Sequence, residues 1–129
     1  MTPELTALAL AALLQYAQYM LFSVLANLQV GQSAALGPRD TPITLTGRAG
    51  RAQRAMNNHF EGLILFTIAV VVVHLSDAGN GLTANLAWAY LAARVLYIPA
   101  YLFGLTPWRS LIWAAGWVAT LLLLIVAVL

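Results

Sequence analysis

Four polar side chains in "RAQRAMNNHFEG", namely Arg51, Arg54, Asn58 and Glu61, follow one another at spacings of 3, 4 and 3. On an α-helix that spacing keeps them on one face along about 15 Å of rise. Two guanidiniums, an amide and a carboxylate in one stripe suit a zwitterionic ligand lying along the helix, because arginine pairs with carboxylates, glutamate accepts from an ammonium and asparagine does both. A second set, Arg94, Tyr97 and Tyr101 in "ARVLYIPAYLFG", is spaced 3 and 4 and shares a face in the same way. A third pair, Arg109 and Ser110 in "TPWRSLIW", falls at the start of a helix, where backbone N–H groups and the helix dipole favour an anion such as a thiolate or carboxylate. His59 and His74 have no second histidine or cysteine at ligand spacing, so no metal site is expected. Ser110, His59 and Asp40 have no spacing that argues for a catalytic triad.

The elements that position these residues belong to a membrane. Of the 129 residues, 62% are hydrophobic and only 8% charged, and the mean hydropathy is +0.84, outside the range of a water-soluble domain of this size. A hydrocarbon core of about 30 Å takes about 20 apolar residues in a helix. Four spans fit, at about 5–30, 57–76, 82–104 and 108–129, with the second and fourth helices starting earlier, near 51 and 107. The expected fold is therefore an all-α integral membrane protein, a single four-helix bundle over residues 1–129. Glu4 stands where a signal peptide would carry positive charge, so the N-terminal apolar run reads as the first transmembrane helix. With no cysteine in the chain, thiol chemistry has to come from a bound molecule.

All six basic residues are arginines, and Arg39, Arg48, Arg51 and Arg54 crowd the first loop and the start of the second helix, with Arg109 at the third loop. The positive-inside rule places those loops in the cytoplasm and both termini outside. So few basic residues, so close to the membrane, argue against a nucleic-acid partner. Each polar group also has a plainer reading. Arg51 and Arg54 snorkel to headgroups in one, Glu61 pairs with the deep Arg94 to fix helix register in another, and Tyr97 and Tyr101 only pack. Pro99, between the tyrosines, removes a backbone donor and predicts a local kink. Ala89 with Ala93, and Ala115 with Ala119, are expected to supply close helix contacts. Convergence of three polar faces on one end of the bundle favours a ligand site over these readings.

The pattern R-x-x-R-A-x-x-N-x-x-E, here Arg51, Arg54, Ala55, Asn58 and Glu61, resembles the second-helix signature of the MAPEG family, the membrane-associated proteins of eicosanoid and glutathione metabolism. Arg94, Tyr97 and Tyr101, followed eight residues later by Arg109 and Ser110, resemble the third and fourth helices of its leukotriene-C and prostaglandin-E synthases. The resemblance implies a homotrimer with glutathione bound between subunits near the cytoplasmic side. Arg51, Arg54, Asn58 and Glu61 would hold the tripeptide's charged ends, Arg94, Tyr97 and Tyr101 would line its other side with Ser110, and Arg109 would stabilise its thiolate. Expected activities are transfer of glutathione to lipophilic electrophiles or reduction of lipid hydroperoxides; the alternative is a non-catalytic lipid-binding or scaffold member. Where better-known members carry arginines at the end of the first helix, this chain has Gln29 and Gln32, with Arg39 later in the loop. The alanine-, leucine- and arginine-rich composition without lysine suits a bacterial cytoplasmic membrane.

Overall fold

The computed structural model describes residues 1–31, 37 and 44–129. It holds four helices: α1 (Pro3–Val30), α2 (Gly47–Leu75), α3 (Gly81–Leu102) and α4 (Trp108–Val128). Most of the first loop, with Gln32, Arg39 and Asp40, lies outside the described residues. α2 and α3 form the central pair; α1 packs on one side of it and α4 on the other, and α1 makes no contact with α4 among the described residues.

Three helices, α1, α2 and α4, are long and apolar enough to cross a membrane. α3 is about 33 Å long by its 22 residues, but Thr83, Asn85, Arg94 and three tyrosines lower its apolarity below theirs. It offsets this by packing against all three other helices, which buries Thr83, Tyr90, Arg94 and Tyr97. Around the bundle, large apolar side chains such as Leu13, Met20, Ile64, Ile68, Val95 and Leu122 point outward. That is the surface a lipid solvent calls for, and the chain is an integral membrane protein.

Inside, the core is small-residue packing around one aromatic stack. Ala7, Ala11, Ala69, Ala87 and Ala119 are buried with Val70, Val73 and Leu123, and the Phe66 and Tyr90 rings stack with centroids 3.8 Å apart. Without a hydrophobic force between helices in lipid, such close approach is what holds a bundle. The small pairs differ from those expected from spacing. Ala93 and Ala119 are buried, but Ala89 and Ala115 face outward, and the tight α3–α4 crossing is made by Ala93 against Gly116, where an added Cβ would sit 3.6 Å from the alanine methyl. α3 also runs on through Pro99 to Leu102.

Both ends of the bundle are fastened by polar bonds. At the Gln29 end, the side-chain amide of Gln29 donates to the Thr46 carbonyl and accepts from the Thr46 N–H, each at 2.9 Å, joining the end of α1 to the start of α2. At the other end Asn80 and Thr83 form a capping box for α3, and the Thr83 hydroxyl donates to the buried carboxylate of Glu4. Thr83→Val keeps the shape but strands both the Glu4 carboxylate and the Asn80 N–H. We expect it to cost about 1–3 kcal/mol, read as a lower unfolding midpoint in detergent, with ligand binding at the far end unchanged; an unaltered midpoint would show that the tie contributes nothing.

Candidate functional site

The start of α2, the end of α3 and the start of α4 meet at the Gln29 end, and they bring most of the polar stripe together. Arg54 on α2 donates from Nε to the Tyr101 hydroxyl at 3.1 Å. The guanidinium of Arg54 lies 5.8 Å from the Tyr101 ring centroid and that of Arg109, from α4, lies 4.9 Å from it. Tyr101 thus holds two cations near each other by its ring face, at the start of two helices that would otherwise repel there. Tyr97 is buried beside it, ring centroids 5.5 Å apart. Asn58, Tyr97, Arg109, Ser110 and Trp113 line a cavity of about 170 Å³ that opens to the outside. Arg109, in the lining beside an amide, a hydroxyl and a phenol, makes this an anion-binding cavity, sized for one side chain rather than a whole tripeptide, with Arg54 close by on the other side of the Tyr101 contact.

Arg51 occupies a different place. Its Nη1 reaches the Leu102 carbonyl at 3.4 Å, a cation at the C-terminus of α3 where the helix dipole favours it. Gly104 turns the chain out of α3 beside it at φ +66°, a conformation that favours glycine. Arg48 stands 5.3 Å from the Phe103 ring centroid in a similar role.

Arg94 does not make the Glu61 pair of the plainer reading. Its Nε donates to His59 Nδ1 at 3.2 Å and its Nη1 to Asn58 Oδ1 at 3.0 Å, while its guanidinium covers the Tyr97 ring at 4.5 Å. Glu61 is exposed on the outside of α2. The reason is rotation, not depth. Each residue turns a helix by about 100°, so Glu61 lies about 160° around α2 from His59, the residue that accepts from Arg94 Nε.

His59 is the site residue that spacing did not reveal. It is fully buried, and its Nε2 lies 2.9 Å from the Ala11 carbonyl on α1. Because that carbonyl only accepts and Arg94 only donates, the ring is the neutral tautomer with its proton on Nε2. One imidazole therefore links α1, α2 and α3 and aims Arg94. The only sequence signal was a histidine adjacent to the stripe; its acceptor, a backbone carbonyl of another helix, leaves no trace in residue types.

The expectation of free N–H groups at the start of α4 also needs correction. The Arg109 N–H donates to the Leu105 carbonyl and the Ser110 N–H to the Pro107 carbonyl, both at 3.1 Å. An anion beside Arg109 would be held by the guanidinium and the Ser110 hydroxyl, with those two backbone groups already engaged. Among the described residues no three His, Cys, Asp or Glu side chains are grouped to hold a metal ion.

No curated protein and no solved structure matches the chain. The profile of the MAPEG family, in contrast, matches residues 4–129, which takes in all four helices and every residue of the cavity. With its helical membrane bundle and the second-, third- and fourth-helix motifs carried at one end, the chain belongs to the MAPEG family.

Proposed function

We propose that the protein is a membrane-bound glutathione transferase or peroxidase, which activates the glutathione thiol toward lipophilic electrophiles or lipid hydroperoxides. The observation that carries this reading is the convergence of Arg54 and Arg109 on Tyr101 beside the cavity of Asn58, Tyr97, Arg109 and Ser110. That cavity suits the cysteinyl part of the tripeptide. Arg109 stands beside it to hold the thiolate, and Ser110 and Asn58 complete the polar lining.

The rest of glutathione would run along α2, its charged ends meeting Arg54, Glu61 and Arg51, with Arg94 and Tyr101 on the opposite side. Glu61, a carboxylate exposed about one turn inside the apolar part of α2, supports a site shared between subunits, because lipid exposure of a carboxylate costs about 3 kcal/mol. A homotrimer in a bacterial cytoplasmic membrane, with this end on the cytoplasmic side, is the assembly that fits both. A second reading, a non-catalytic lipid-binding member, draws support from Gln29: its amide is taken up by Thr46 and is not free to reach a neighbouring subunit.

Calorimetric titration of the detergent-purified protein with glutathione tests the proposal. Binding is expected in the parent protein and loss of it in both Arg54→Ala and Glu61→Ala. No binding in the parent protein would remove the proposed activity and leave the lipid-binding reading.

A further inference from the structure

A second cavity, about 180 Å³, lies on the flank of the bundle between α2, α3 and α4. Its mouth is formed by the exposed Trp113 and Trp117, stacked with ring centroids 6.3 Å apart. At its back are Gly62, Gly116, Tyr90 and Arg94. The last two are buried at 2% and 4% exposure, and the Tyr90 hydroxyl and Arg94 Nη2 are without a hydrogen-bond partner among the described residues. Arg94 is thus shared: Nε and Nη1 are engaged with His59 and Asn58, and Nη2 keeps its N–H groups unpaired among the described residues in a side chain that also lines this cavity. Gly62 keeps the way to Tyr90 open, since a Cβ there would come within 3.3 Å of the tyrosine hydroxyl.

Two buried donors without acceptors in an apolar, lipid-facing cavity call for an oxygen from outside the chain, because each unmet donor costs about 1–3 kcal/mol. Position decides what carries that oxygen. Counted from Leu102, Arg94 and Tyr90 lie 8 and 12 residues along α3, about 12 and 18 Å by helical rise, well below the headgroups of a core about 30 Å thick. Bringing a carboxylate to that depth is costly, but an oxygen borne part-way along an acyl chain is there already. The cavity is too small for a whole lipid and open enough for the chain to continue into the bilayer.

We infer that Tyr90 and Arg94, within one protomer, form a subsite for the mid-chain oxygen of an oxidised acyl chain, a carbonyl or hydroperoxide. The assignment rests on the reading of the protein as acting on lipophilic substrates and states where their oxygen is held. Trp113 lines both this cavity and the one beside Arg109, so the bound chain would lie next to the thiol site.

The test omits glutathione. The protein in phosphatidylcholine nanodiscs is titrated with the methyl ester of a linoleate-derived dienone, whose absorption band shifts to the red when its carbonyl accepts a hydrogen bond. With no cysteine in the chain, no protein thiol consumes it. A saturable red shift is expected, with displacement by methyl linoleate, which lacks the oxygen, only at tenfold or more higher mole fraction. Tyr90→Phe should weaken binding about fivefold, as loss of one hydrogen bond does, and reduce the shift; Gly62→Leu should abolish both. Equal competition by methyl linoleate, an unchanged isotherm and band in Tyr90→Phe, or binding of the free acid but not the ester would overturn the subsite. Glutathione titration of the same samples keeps the two proposals separate: lipid binding without glutathione binding sinks only the proposed activity, and the reverse sinks only the subsite.

Discussion

Arg109→Ala is expected to lower glutathione conjugation to a chlorodinitrobenzene about 25-fold at pH 7, with a deficit that shrinks as the pH rises. A free thiol of pKa about 8.5 is only about 3% ionised at neutral pH. A guanidinium held against it lowers that pKa by about two units, which makes about three quarters of the bound thiol reactive at pH 7. Removing Arg109 returns the thiol to its ordinary value, so the variant's rate should climb about tenfold per pH unit and approach the parent's above pH 8.5. Arg109→Lys keeps the charge without the planar fork and should fall between the two. Arg109 makes its aromatic contact with the Tyr101 ring at an open cavity, so the truncation leaves the helices in place and glutathione affinity should change much less than turnover. Equal activity of Arg109→Ala across the pH range would remove the thiolate role.

How much of this was written in the residue types depends on whether a feature is set by one helix or by two. The stripe of Arg51, Arg54 and Asn58 and the face of Arg94, Tyr97 and Tyr101 are properties of single helices, and spacing alone aligned them. That α2 and α3 press those faces together follows from polarity, since each hides from lipid what the other also hides. Relations between helices were not legible. Glu61 and Arg94 share a depth, yet the roll of α2 turns Glu61 outward and brings His59 to Arg94 instead. Ala89 and Ala93 are alike in sequence, and only the crossing with Gly116 makes one of them a contact. Nothing in the residue types marks Tyr90; only the packing of α3 against Gly62 on another helix leaves its buried hydroxyl without a partner among the described residues.

The largest effect on stability is expected at His59. With leucine there, Arg94 Nε keeps its burial and loses its acceptor, and the bond from α2 to the Ala11 carbonyl disappears at the same time. Breaking one partner of a buried charged contact costs about 3–5 kcal/mol, enough to deplete folded protein in a bundle that relies on packing of alanines. Arg94→Leu alone should cost less, because a neutral imidazole is easier to strand than a guanidinium. The double variant His59→Leu, Arg94→Leu should be more stable than His59→Leu by itself, since the stranded charge leaves with Arg94. Gln at position 59 offers one acceptor and one donor and should restore most of the loss. Unfolding midpoints by size-exclusion in detergent give the cycle directly, and a His59→Leu protein as stable as the parent would mean that the imidazole does not hold Arg94. The cycle also separates frame from function. A double variant that folds but no longer binds glutathione or the dienone ester would show that the buried guanidinium, kept at a cost to stability, is there for its ligands.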